Sequence, residues 1–195
     1  MKATPALTRK DILRGFGKLD AMAREADKVI ELAVYGGAAL ALAFDMRVST
    51  RDVDAVVHGA SDFVRKCAAR IAEDEGWPMD WLNDGVKGFL SASEQMRLMR
   101  DFSAAHGKGL RVLVPSPEYL FAMKCMAMRP EGIDGSHDIS DIEALAGIAG
   151  IADAKSALEL VESFYPARRI PPKVRFGVEE IMARVAKKGK RSPSR

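Results

Sequence analysis

Between residues 8 and 27, Ile12, Phe16, Leu19 and Met22 recur at helical spacing, and Thr8 stands where a helix N-cap is wanted. The pattern predicts an amphipathic helix there. VIELAVY (29–35) is a short β-rich run, stopped by Gly36-Gly37. AALALAF (38–44) has high helix propensity and no polar face, so it reads as a buried helix. DVDAVV (52–57) reads as a strand with alternating acids at its start. A helix follows with Phe63, Val64, Cys67 and Ile71 on one side.

From Gly76 to Gly109 the periodicity breaks down. Both tryptophans, Trp77 and Trp81, lie here among turn residues, and the expectation is loops around a short helix at 92–102. GLRVLVP (109–115) is a strand closed by proline. Ser116-Pro117-Glu118 opens a helix to about residue 128, with serine as cap and proline in the first turn. A loop at 130–138 leads to helices at 138–149, 153–164 and 174–187. The order predicts an α/β (α+β) fold, a small mixed sheet flanked by helices with a helical C-terminal subdomain. The expected division is an α/β core over 1–115, a helical subdomain over 116–185 and a basic flexible tail over 186–195.

Composition narrows the class. At 195 residues, 48% hydrophobic and 29% charged, the chain can bury a core without staples and is too apolar to be disordered. Two cysteines make no disulfide framework, and three scattered histidines match no zinc spacing. No apolar run is long enough to cross a membrane, and the first ten residues carry no apolar leader segment. A reduced, cytoplasmic protein without membrane contact is expected. Six of the 30 basic residues fall in the last twelve positions, where there is no acid; the other 24 against 27 acids leave the body at −3. That tail is either a solvated end or an arm that attracts polyphosphate or RNA.

Two features carry candidate chemistry. A glycine pair between strand and helix is either a tight turn or a cradle where backbone N–H groups meet a phosphate. It is neither GxGxxG nor a Walker sequence. Asp52 and Asp54 stand two apart on a strand, so their carboxylates share one face about 6–7 Å apart. They are either a solvated strand end or the oxygen ligands of a hard cation such as magnesium. Lys124 lies at the edge of its helix's apolar face, snorkelling or functional. Asp138 opens the next helix, where the dipole alone would favour it. The methionine-rich face (Met123, Met126, Met128) reads as core or partner groove, and the tryptophans as core, lid or base-stacking groups.

YGGAALALAFDMRVSTRDVDAVV (35–57), followed by PSPEYLFAMKCMAMR and HDISDIEAL (within 115–145), resembles the polymerase-beta-like nucleotidyltransferases, and more closely the AbiEii-type proteins of toxin–antitoxin loci. The resemblance implies that Gly36 and Gly37 hold a triphosphate, and that Asp52 and Asp54 bind Mg2+ or Mn2+. Arg47 and Thr50 would support that loop or touch phosphate. Lys124 would lie near the phosphates, Asp138 would face the nucleotide, and Asp141 would assist one turn later. The implied reaction moves NMP from an NTP to a hydroxyl of an RNA, such as a tRNA 3′ end, or of a protein. The implied partners are an NTP, tRNA or another RNA, and a cognate antitoxin protein. Two departures stand out. Glycine replaces the family's frequent serine after the first glycine, and the third carboxylate usual in these enzymes has only Asp80, with Asp84 behind it, as candidate. A catalytically weak nucleotide-binding or interaction module on the same fold is the alternative, and a nucleic-acid-binding protein driven by its tail is a third.

Overall fold

The computed structural model describes residues 6–129 and 137–189. The chain packs as two units, Met1–Gly88 with Met96–Pro115, and Phe89–Gln95 with Ser116–Arg195. The fold is mixed α+β, with seven α-helices and two sheets among the described residues.

In the first unit, Thr8 caps α1 (Arg9–Glu25) through a capping box with Asp11. Strand β1 (Leu7–Thr8) pairs antiparallel with β3 (Ser49–Thr50) in a two-stranded ribbon that the sequence pattern does not signal. The main sheet contains β2 (Val29–Val34), β4 (Val53–His58), β5 (Leu82–Asn83), β6 (Met96–Asp101) and β7 (Gly109–Pro115), in the order β5-β4-β2-β7-β6. β2 runs parallel to β7 and antiparallel to β4, while β5 runs parallel to β4. The apolar runs of β2 and β7 occupy the middle, where Ile30, Leu32, Val112 and Val114 are fully buried. α1 packs on β7 and on α3 (Ser61–Glu75). Buried Asp20 on α1 accepts the Leu110 N–H at 2.9 Å, tying helix to sheet.

Two sequence expectations need correction. The helix expected at 92–102 is strand β6 over 96–101, paired antiparallel to β7 with an irregularity between Leu98 and Arg100. Its Met, Leu and Arg residues favour helix, but the open edge of β7 offers a row of backbone partners that overrides the propensity. The glycine pair does not precede its helix; α2 (Gly36–Ala43) begins on it.

The second unit contains α4 (Pro117–Ala127), α5 (Asp138–Ile148), α6 (Ala154–Phe164) and α7 (Pro172–Gly189). Ser116 caps α4 by accepting the Tyr119 N–H, with proline in the first turn. Residues 89–95 belong here because they are stitched to these helices. The Ser91 N–H donates to the Tyr119 hydroxyl at 2.9 Å, and the Arg169 guanidinium donates to the Leu90 carbonyl at 2.9 Å. Tyr119 stacks on Phe164 with ring centres 5.0 Å apart. α4 is buried nearly all round rather than on one face, with Tyr119, Leu120, Phe121, Ala122, Met123 and Cys125 inside. The helix α7 continues through residues 186–189, so these do not form a flexible tail. The rest of the expected tail, 190–195, and most of the expected loop at 130–138 lie outside the described residues. Among the described residues no helix is long and apolar enough to cross a membrane.

Candidate active site

In the first unit the residues of the glycine and DxD motifs meet. The Tyr35 N–H donates to the Asp54 carbonyl at 2.9 Å, which brings the end of β2 beside the start of β4. Val53 and Ala55 point into the core while Asp52 and Asp54 are half-buried on the other face, as a period of two requires. Gly36 begins α2 with φ +58°, a left-handed conformation that costs a side-chain-bearing residue about 1–2 kcal/mol. A Cβ there would lie 2.9 Å from Asp54 Oδ2. A Cβ on Gly37 would lie 2.7 Å from Thr50 Oγ1 and 3.1 Å from an Arg47 guanidinium nitrogen. The positive φ favours glycine at position 36, and a Cβ at position 37 would have to displace the Thr50 and Arg47 side chains.

The helix α2 has no side-chain cap, since Tyr35 makes no capping hydrogen bond. The N–H groups of its first turn therefore keep their positive end of the dipole beside Asp54, Thr50 and Arg47.

Strand β5 supplies what sequence reasoning missed. Asn83 stands opposite Asp54 in the β4–β5 register, and its amide donates to Asp52 Oδ2 at 3.0 Å. Trp81 anchors this strand. It is fully buried, its indole N–H donates to the Ala68 carbonyl, and its own carbonyl accepts the Val53 N–H at 2.6 Å. Trp81 is thus core and Trp77 packs against it edge to face, 5.1 Å between ring centres. A signal for Asn83 did exist, since Asn-Asp-Gly at 83–85 is turn chemistry, but a two-residue strand shows no periodicity.

Asp80, expected as a third metal ligand, is an exposed turn residue whose main-chain carbonyl faces Asn83 at 3.4 Å. Asp84 is ion-paired with Lys87, and that ammonium holds its carboxyl below the usual range. Among the described residues no group of three His, Cys, Asp or Glu side chains is arranged to hold a metal ion. The two-carboxylate set nevertheless suits magnesium, which often takes one or two carboxylates and completes its shell with water and phosphate oxygens. The space in front of Asp54 is bounded by glycines on two sides, because a Cβ on Gly85 would also lie 3.4 Å from Asp54 Oδ1.

In the second unit, Lys124, Asp138 and Asp141 come together. The Lys124 ammonium lies 3.0 Å from Asp138 Oδ1 and 2.9 Å from Asp141 Oδ2. The lysine side chain is 12% exposed and the carboxylates 10% and 6%. Lys124 is therefore not a snorkelling edge residue but the centre of a buried ion cluster linking α4 to α5. The Arg129 N–H adds a bond to Asp138 Oδ2 at 3.3 Å.

The chain matches, over residues 12–163, the family model described as nucleotidyltransferase of unknown function (DUF6036). The chain belongs to this family. The match runs through the glycine pair, the DxD and the lysine–aspartate cluster alike. Comparisons with curated proteins and with solved structures give no significant match. Membership in this nucleotidyltransferase family supports NMP transfer as the general reaction and a nucleotide as substrate, and leaves the acceptor undefined.

Proposed function

We propose that the chain is an AbiEii-type, magnesium- or manganese-dependent nucleotidyltransferase whose nucleotide site is the glycine–DxD corner of the first unit. The observation that carries this reading is the meeting of an uncapped, glycine-opened helix with a carboxylate pair: a Cβ on Gly36 would lie 2.9 Å from Asp54 Oδ2. First-turn N–H groups of α2 would face a triphosphate brought to that corner, and Asp52 and Asp54 would hold a divalent cation for it.

In the reaction, a hydroxyl oxygen of the acceptor bonds to the α-phosphorus. The bond from that phosphorus to the bridging oxygen breaks, pyrophosphate leaves, and the hydroxyl proton passes to water. Gly36 and Gly37 let the main chain approach the phosphates, while Thr50 and Arg47 fix the loop behind them. Asp52 and Asp54 would hold a divalent cation, which would supply Lewis-acid polarisation of the α-phosphate and offset charge on the leaving pyrophosphate. An RNA acceptor, such as a tRNA 3′ end, is favoured by the basic residues at the chain's C-terminus. The resemblance to AbiEii proteins extends the proposal to a toxin held in check by a cognate antitoxin.

A second reading, a nucleotide-binding module with little turnover, is favoured by the lack of a three-acid cluster among the described residues. Titration calorimetry with each of the four NTPs and magnesium tests both readings. Binding that requires the metal and disappears in Asp52→Ala/Asp54→Ala supports the site. Transfer of label from an α-labelled NTP to total RNA then separates enzyme from module. A folded wild type that binds no NTP overturns both.

A further inference from the structure

We propose that Asn83 is a positioning residue for Asp52, giving this site two acids and an amide, so that the cation is held well only together with the nucleotide. The inference rests on the nucleotidyltransferase reading above and concerns how that site takes its metal.

The orientation of the Asn83 amide follows from its neighbours. The Gly85 N–H lies 2.8 Å from one end of the amide and can only donate, so that end is the oxygen Oδ1. The other end is then the NH2 group, which donates to Asp52 Oδ2 at 3.0 Å and faces the Asp80 carbonyl at 3.4 Å. Each donor and acceptor of the side chain has a partner, and the amide cannot flip without setting donor against donor. The turn that locks it is tight, because a Cβ on Gly85 would lie 3.0 Å from Asn83 Oδ1. Asn83 also sits opposite Asp54 in the parallel register, next to both acids.

Two consequences follow. One Asp52 oxygen is committed to the amide, so the carboxylate is held in a single rotamer with its second oxygen left for a ligand. A ligand's hydrogen-bond partner of this kind is worth about 10–100-fold in metal affinity. Asparagine also brings no charge to the strand position nearest the pair. With the amide in place of a third carboxylate, water and triphosphate oxygens complete the cation's shell, and the metal–nucleotide complex is the species that binds well.

The test is Mn2+ binding followed by electron paramagnetic resonance, alone and with the α,β-methylene analogue of each NTP. Wild type is expected to bind free Mn2+ weakly and to tighten at least about tenfold with analogue. Asn83→Ala should lose about 10–100-fold of the analogue-dependent affinity while its urea midpoint stays close to wild type. Asn83→Asp keeps the acceptor for the Gly85 N–H and adds a carboxylate, so it should bind free Mn2+ at least about tenfold more tightly than wild type; it decides the question should the alanine variant not fold. Unchanged Mn2+ affinity in both variants, with binding abolished by Asp52→Ala, overturns the role of Asn83 and leaves the nucleotide site standing. A wild type that binds neither Mn2+ nor analogue overturns the nucleotide site and this inference with it.

Discussion

Asp52 and Asp54 in one unit, and Asp138 and Asp141 in the other, are both pairs of carboxylates held on one face of an element. Asp52, just before β4, and Asp54 within it stand two residues apart; the helix α5 places its pair three apart. The first pair is half-buried, with Asp54 close to Gly36 and Gly85 and Asp52 bonded to a neutral amide. The helix pair is almost wholly buried and shares a lysine ammonium. Burial explains the difference. Inside the helical unit an unbalanced carboxylate would be prohibitively costly, so the chain supplies its own cation. At the half-open sheet corner the carboxylates keep access to solvent, which the proposed ligand site requires. An acid pair alone therefore does not mark a site, and the proposal rests on the glycines that stand close to Asp54.

The largest expected effect breaks the buried pair. Lys124→Ala removes the ammonium that two buried carboxylates share and should lower stability by about 3–5 kcal/mol in urea unfolding. Replacing all three residues together, as Lys124→Met/Asp138→Asn/Asp141→Asn, should recover most of the loss, since no buried charge remains. The cysteines report where the damage falls. Burial pushes up the thiols of both Cys67, in the first unit, and Cys125, on the same helix as Lys124, so both should resist thiol reagents in the native protein. In Lys124→Ala, Cys125 should become reactive before Cys67.

The strand pair should behave in the opposite way. Asp52→Asn/Asp54→Asn is expected to change stability by less than about 1 kcal/mol while weakening magnesium-dependent NTP binding about 100-fold or more, measured by calorimetry. A comparably large loss of stability would mean that these acids too are structural.

Gly36→Ala tests the claim that the space is kept clear. With φ at +58° and Asp54 Oδ2 2.9 Å from the new Cβ, it should cost about 1–2 kcal/mol of stability and weaken NTP binding as well. Alanine tolerated without either effect would remove glycine from the account.

The smallest effect lies outside both pairs. Thr8 caps α1 and sits on β1, which pairs with the strand that carries Thr50. Thr8→Ala should cost about 1 kcal/mol. Hydrogen bonds from Thr8 hold the Asp11 carboxyl below its ordinary value. A depressed folded-state pKa contributes stability that is fully present above the unfolded carboxyl value near 4, and it is lost as pH falls through the lower folded value. The gap between wild type and Thr8→Ala in thermal melts should therefore be widest near neutral pH and close in acid.

Much of this molecule was legible from local pattern alone. Helix α1 with its cap, the central strands β2 and β7, α4 opening on Ser116-Pro117, and the shared face of Asp52 and Asp54 all depend on interactions within a few residues. Such interactions leave periodicities of 3.6 or 2 in the sequence. Where the decision belonged to distant residues, the pattern failed. Helix-prone Met96–Asp101 became an edge strand because β7 offered backbone partners. The fate of Lys124 depended on α5 arriving with two acids at hydrogen-bonding distance, which only packing decides.

The sequence by itself determined α1, the central strands, α4, the glycine pair and the carboxylate pair, since each is written in neighbouring residues. Only the tertiary structure decided which groups stand around them. It brought Asp54, Thr50 and Arg47 against two glycines, set Asn83 beside Asp52, and left Asp80 in an exposed turn. The physical reason is that sheet register joins residues about thirty positions apart through backbone hydrogen bonds, as Asp54 with Asn83, and those bonds carry no side-chain signature.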